Sequence, residues 1–103
     1  MFEIHVFLAN ATSSSMAITG FTDGNRHALI LFKRQATETD HDFEAADEHL
    51  VSQGWKIVEI TKAGTLTPES LNGKDADFCH AYEAALDAGN SIIVYRDPIP
   101  AEA

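Results

Sequence analysis

The hydrophobic and polar positions of this chain fall into two periods, and those periods divide it into short elements. Phe2, Ile4, Val6 and Leu8 alternate with Glu3, His5, Phe7 and Ala9, which predicts a strand over residues 2–9. Asn10–Ser15 is small and polar and reads as a loop. Met16–Thr22 predicts a weaker strand, because Gly20 packs nothing inside one. Thr22-Asp23-Gly24-Asn25 is a turn, since Asp-Gly tolerates the positive φ of a tight reversal. Arg26–Arg34 then carries Leu29 and Leu31 on one face and Ala28, Ile30 and Phe32 on the other, which marks a strand inside a sheet.

The second half repeats a helix-then-strand plan. Thr37-x-x-Asp40 and Thr39-x-x-Asp42 are overlapping capping patterns at the start of a helix. Phe43, Ala46, Leu50 and Val51 form one helical stripe, and Gly54 is placed to end it in the left-handed conformation. Trp55–Lys62 follows as a strand with apolar residues on both sides, which predicts a central position in the sheet. Ala63–Lys74 reads as a connection in which Thr67-Pro68 starts a short helical turn and Asn72-Gly73 breaks it. A second helix is predicted over Asp75–Ala88, burying Phe78, Cys79, Tyr82, Ala85 and Leu86 and closed by Gly89. Ser91–Arg96 is the last strand, ended by Asp97-Pro98-Ile99-Pro100, and residues 97–103 are expected to fray.

The predicted order is β-(β)-β-α-β-α-β over a single domain, residues 1–103. Each β-α-β step can set its strands parallel. The expected architecture is a two-layer α+β sandwich: a mixed sheet of four to five strands with both helices on one face. An arrangement of the ferredoxin-like type is compatible with that order. Two helices cover only one face, yet several strands are apolar on both. An open apolar face is a poor final state in water, so its own hairpin, its tail or a second subunit should cover the other side. Homodimerisation through that face is one expected outcome, contact with another protein a second.

Charge narrows the partners. The formal net charge is −9, with seven Lys and Arg in the chain. Nucleic acid and anionic membrane surfaces are therefore not expected partners. From Gln35 to Trp55 there are six acids and no Lys or Arg, so the outer face of the first helix is expected to be acidic. Such a face keeps a domain soluble, and it could also steer a basic partner, as in an acidic inhibitor or immunity-type protein. No apolar run approaches the ~20 residues of a membrane span. The N-terminal apolar run carries Glu3 and no basic start, so no secretory signal is expected and a cytoplasmic location is.

Motifs that carry chemistry are sparse. None of the histidines His5, His27, His41, His49 and His80 makes an i, i+4 metal pair, and Cys79 matches no zinc pattern. Asp40, His41, Glu44 and Glu48 share one helical edge and read as a solvated, capping edge. Cys79 lies among Asp75, Asp77 and Glu83, which disfavours a thiolate and reads as structural. Were the chain an enzyme or ligand binder, His5, His27 and Tyr95 on the sheet, with Arg96 as an anion anchor, would be the candidates. No catalytic, cofactor or metal site is assigned. The leading expectation is a non-catalytic domain that acts through protein contacts.

Overall fold

A computed structural model describes residues 1–100 of the chain. Its elements are β1 (Phe2–Ser13), α1 (Met16–Thr19), β2 (Arg26–Ala36), α2 (Phe43–Ser52), β3 (Trp55–Leu66), a 3-10 turn (Pro68–Leu71), α3 (Ala76–Ala88) and β4 (Asn90–Val94). The expected α+β sandwich forms around one four-stranded sheet in the order β3-β1-β2-β4. That order differs from the ferredoxin-like one.

All three strand pairings are antiparallel, where a mixed sheet was expected. The reason is the position of β1. β2 and β3 both run against it, so the β2-α2-β3 unit does set its two strands in the same direction, but β1 is inserted between them. β1 and β2 are the central strands. β3 is an edge strand with β1 as its one neighbour, which corrects the central position expected for Trp55–Lys62.

Strand alternation then separates two cores. Phe7, Ala9 and Ala11 of β1 share a face with Leu29 and Leu31 of β2, and α2 seals it with Ala46 and Leu50, together with Trp55. Ile4 of β1 points the other way with Ile30 and Phe32, where α3 packs Ala81, Tyr82 and Ala85. The helices, expected on one face, thus divide between the two. α2 only has to pass over β1 to reach β3, whereas the α3 connection must travel from one sheet edge to the other.

Local chemistry explains most element boundaries. Asp42 caps α2 by accepting from the Ala45 N–H at 2.9 Å, and Asp75 caps α3 by accepting from the Phe78 N–H at 2.8 Å. The cap of α2 is the last residue of the second Thr-x-x-Asp pattern, while Thr39 donates backwards to the Ala36 carbonyl. Residues 16–22 are not a strand. Ser15 accepts from the N–H groups of Ile18 and Thr19, and Gly20 closes the turn of helix at φ 81°. Side-chain bonds to this segment, such as that between Ser13 Oγ at the end of β1 and Thr19 Oγ1 at 2.6 Å, compete with ladder pairing. β1 also takes up Asn10–Ser13 of the expected Asn10–Ser15 loop, and β3 continues through Ala63–Leu66 of the expected connection. The frayed tail expected over 97–103 lies partly at 101–103, outside the described residues. Before it, Ile99 donates its N–H to the Arg26 carbonyl at 2.6 Å.

Candidate interaction surface

The histidines proposed for chemistry sit at opposite ends of the α2 face. His5 pairs in register with Lys33, and His27 with Ala11, so six residues of β1 separate their rows, or roughly 20 Å of strand. His5 is fully buried, and its Nε2 meets the Glu3 carboxylate at 2.6 Å. That contact holds the Glu3 carboxyl below its ordinary pKa, helped by the Glu38 N–H it accepts. The His41 ring lies over His5 with centroids 4.3 Å apart, and its Nε2 meets Thr65 Oγ1 at 3.0 Å. His27 donates from Nδ1 to the Tyr95 carbonyl at 2.8 Å and packs in a triangle of rings with Phe21 and Trp55.

Tyr95 therefore meets His27 through its backbone, and its side chain is exposed. Arg96 and the neighbouring Tyr95 line a small cleft with Asp75, Asp77 and Phe78 beside the start of α3, away from His5 and His27. His5, His27, Tyr95 and Arg96 do not converge on a common space. Cys79 is half-buried, with its sulfur 4.0 Å from the Leu71 carbonyl oxygen. Among the described residues, no group of three His, Cys, Asp or Glu side chains is arranged to hold a metal ion. No described helix is long and apolar enough to cross a membrane.

The opposite face of the sheet is the less complete one. α3 packs chiefly against β4 and β2, so it shields Ile4, Ile30 and Phe32 and stops short of the β1–β3 half. What remains open there is a groove of about 440 Å³ lined by Val6, Leu8, Ala63, Gly64, Leu66 and Phe78, with Ser70 at one side. Leu8 stays 37% exposed in the middle of a central strand. Gly64 deepens the groove, since a Cβ at that position would come to 3.7 Å from Val6 Cγ1.

Lys62 and Lys74 flank this apolar floor, Lys74 with its ammonium 5.4 Å from the centre of the Phe78 ring. The ion pair formed among the described residues is Glu3–His5, so neither lysine meets an acid among them. Two cations without an acidic partner among the described residues thus border an apolar groove of a chain with net charge −9.

The uncovered strip continues past the groove. Farther along β1, Asn10 and Thr12 join Arg26, Glu59 and Pro98–Pro100 around a more polar cleft of about 700 Å³. Its cation is already engaged. Arg26 donates to the carbonyls of Asn10 and Ile57 and to Thr12 Oγ1. Beside both depressions runs β3, whose outer edge has no strand partner. Two register shifts and an Ile57 at φ 50° interrupt its pairing with β1, but Lys62–Leu66 pairs regularly with Ile4–Leu8.

On the other side of the molecule α2 turns Glu44, Asp47 and Glu48 to solvent, as the charge pattern predicts, with Phe43 and Val51 about half exposed among them. His49, at the end of α2, is held below the ordinary histidine pKa by burial and then by the nearby Lys33 ammonium.

No protein-family model matches this sequence, and no curated protein and no solved structure shows significant similarity to it. The groove was not legible as a site in the sequence. Its residues come from β1, β3, the 3-10 turn and α3, and the one local signal was apolar alternation on both faces of β1.

Proposed function

We propose that this chain is a non-catalytic protein-interaction domain whose contact surface is the uncovered β1–β3 half of the sheet. The observation that carries the reading is the apolar groove around Leu8, left open by α3 and lying beside an unpaired edge strand. An apolar groove on a sheet face beside an open edge is a surface that protein partners use. The absence of convergence among His5, His27, Tyr95 and Arg96 supports contact over catalysis. An acid-base site needs its groups around one accessible space, and His5 and His27 are instead buried at opposite ends of the other face. The groove is also open to solvent and not enclosed, so a small ligand would keep much of its surface in water, which favours a macromolecular partner.

A two-fold pairing of groove on groove is disfavoured by charge. It would set Lys62 and Lys74 of each copy against the same lysines of the other, with no acid in the lining to separate them.

Photo-crosslinking tests the reading. A photoreactive residue is placed at Leu8, and in a second chain at Tyr95, which is exposed but lies outside the groove. In the native host, the Leu8 probe is expected to give a discrete protein adduct that the Tyr95 probe does not. Equal labelling from both positions, or none from Leu8, would refute the proposed surface.

A further inference from the structure

We infer that the groove receives the outer face of α2 from a second copy of the chain, so that copies associate head to tail. The inference rests on the groove being a protein-contact surface and names its occupant. The two surfaces are complementary. α2 presents Phe43 and Val51, 51% and 54% exposed, with Glu44, Asp47 and Glu48 exposed between and beside them. Glu44, Asp47, Glu48 and Val51 fall within one outward arc of the helix, while Phe43 sits at the arc's inner border with its ring edge-on to Phe7. The groove offers the converse: an apolar floor at Leu8 and Phe78 bordered by Lys62 and Lys74.

Ion pairing among the described residues uses none of these charges, since the pair formed there is Glu3–His5. An amphipathic helix laid in an apolar groove is a recurrent mode of recognition, and opposed charges at the rim fix which helix face enters. Net charge of −9 opposes any self-association at long range. At physiological salt, though, screening over about 8 Å leaves the charges at the contact itself to decide orientation. A weak association is the consequence.

The placement of the surfaces sets the kind of assembly. α2 covers the sheet face of Phe7 and Leu31, whereas the groove is on the face of Val6 and Leu8. Surfaces on opposite sides cannot both be used in one two-fold pair. The contact is therefore heterologous, and each copy that joins leaves one groove and one helix free.

Two variants test this without relying on either alone. Leu8→Glu blocks the groove, and a Glu48→Lys, Val51→Lys double variant blocks the helix. All three positions are exposed, and circular dichroism checks that both chains fold. Sedimentation equilibrium is then run on wild type, on each variant and on an equimolar mixture. Wild type is expected to grow in mean mass with concentration beyond a dimer. Each variant alone should self-associate at least about tenfold more weakly. The mixture should form a dimer and nothing larger, because one intact groove meets one intact helix.

A monomeric wild type at millimolar concentration, a wild-type assembly that stops at the dimer, or a mixture that stays monomeric would each overturn the inference. The crosslinking experiment separates the two readings. A Leu8 adduct with a different protein keeps the contact surface and overturns the α2 occupant, whereas no adduct removes both.

Discussion

Arg26 and Ile57 are joined across an intervening strand. The guanidinium of Arg26, on β2, reaches over β1 and donates to the Ile57 carbonyl of β3 at 2.8 Å. Ile57 itself sits at φ 50°, where a β-branched residue is strained, and its side chain is 72% exposed. Arg26 thus pins an irregularity in the strand that forms the open edge of the sheet.

Replacing Ile57 by Gly should relieve that strain and lose little packing. The expected result is a gain of about 1 kcal/mol in unfolding free energy. Arg26→Ala should act the other way, by roughly 1–3 kcal/mol, because three acceptors lose a charged donor. Urea denaturation of both variants checks the pair. A loss of stability in Ile57→Gly would show that the side chain is held by contacts rather than strained.

Gly54 and Gly73 separate backbone conformation from space. Both have positive φ, 92° and 81°. A Cβ at Gly54 would come to 3.0 Å from Ile18 and Thr19 side-chain atoms, whereas at Gly73 it would meet nothing within 4 Å. Gly73→Ala should cost about 1–2 kcal/mol for the left-handed conformation alone. Gly54→Ala should cost roughly 1–3 kcal/mol more, since α1 must shift off the corner between α2 and β3. Equal losses on thermal or urea denaturation would contradict this account of the corner.

Stability should fall toward acid in two stages. The His49 pKa is lowered in the fold by burial and by Lys33, so the unfolded chain takes up that proton more readily. Its contribution is complete above the ordinary value of 6.5 and is lost as pH falls through the lowered one. Glu3, lowered chiefly by its bond to His5, behaves alike, with a contribution complete above 4.5 and lost below it. Unfolding free energy measured as a function of pH should show both declines. Glu3→Gln should shrink the lower one, to which Glu69 also contributes through its bonds to backbone and Thr67, and leave the upper, and a profile flat from neutral pH to pH 4 would contradict the assignment.

The two faces of β1 should respond differently to mutation. Leu50 is fully buried against the α2 face, and Leu50→Ala is expected to cost about 2–5 kcal/mol. Leu8→Glu lies in the open groove and should change stability by less than about 1 kcal/mol. Chemical denaturation distinguishes them. A collapse of folding in Leu8→Glu would mean that the groove is part of the core.

Much of this fold can be read from local chemistry. Helical stripes located α2 and α3, Asp42 and Asp75 stood within the predicted starts, and Gly54 and Gly89 marked both ends. What local pattern misses is set by tertiary placement. The apolar residues on both sides of Trp55–Ile60 suggested a central strand, but Val58 and Ile60 pack toward the α2 core while Ile57 is simply left outside. On β1 the face that looked more apolar, with Val6 and Leu8, is the less buried. The mixed face with His5, Phe7 and Ala9 is sealed. Nothing local to β1 reveals that α3 stops short of its outer half, so the groove becomes visible only once the sheet order is known.

The most direct measurement is a dilution series of amide NMR spectra of the unmodified chain, from millimolar to low micromolar concentration. Signals of the groove (Leu8, Gly64, Leu66 and Phe78) are expected to shift with one shared midpoint together with those of Glu44, Asp47 and Val51 on α2. Spectra that do not change, or changes gathered at β4 and the residues after it, would contradict the head-to-tail contact.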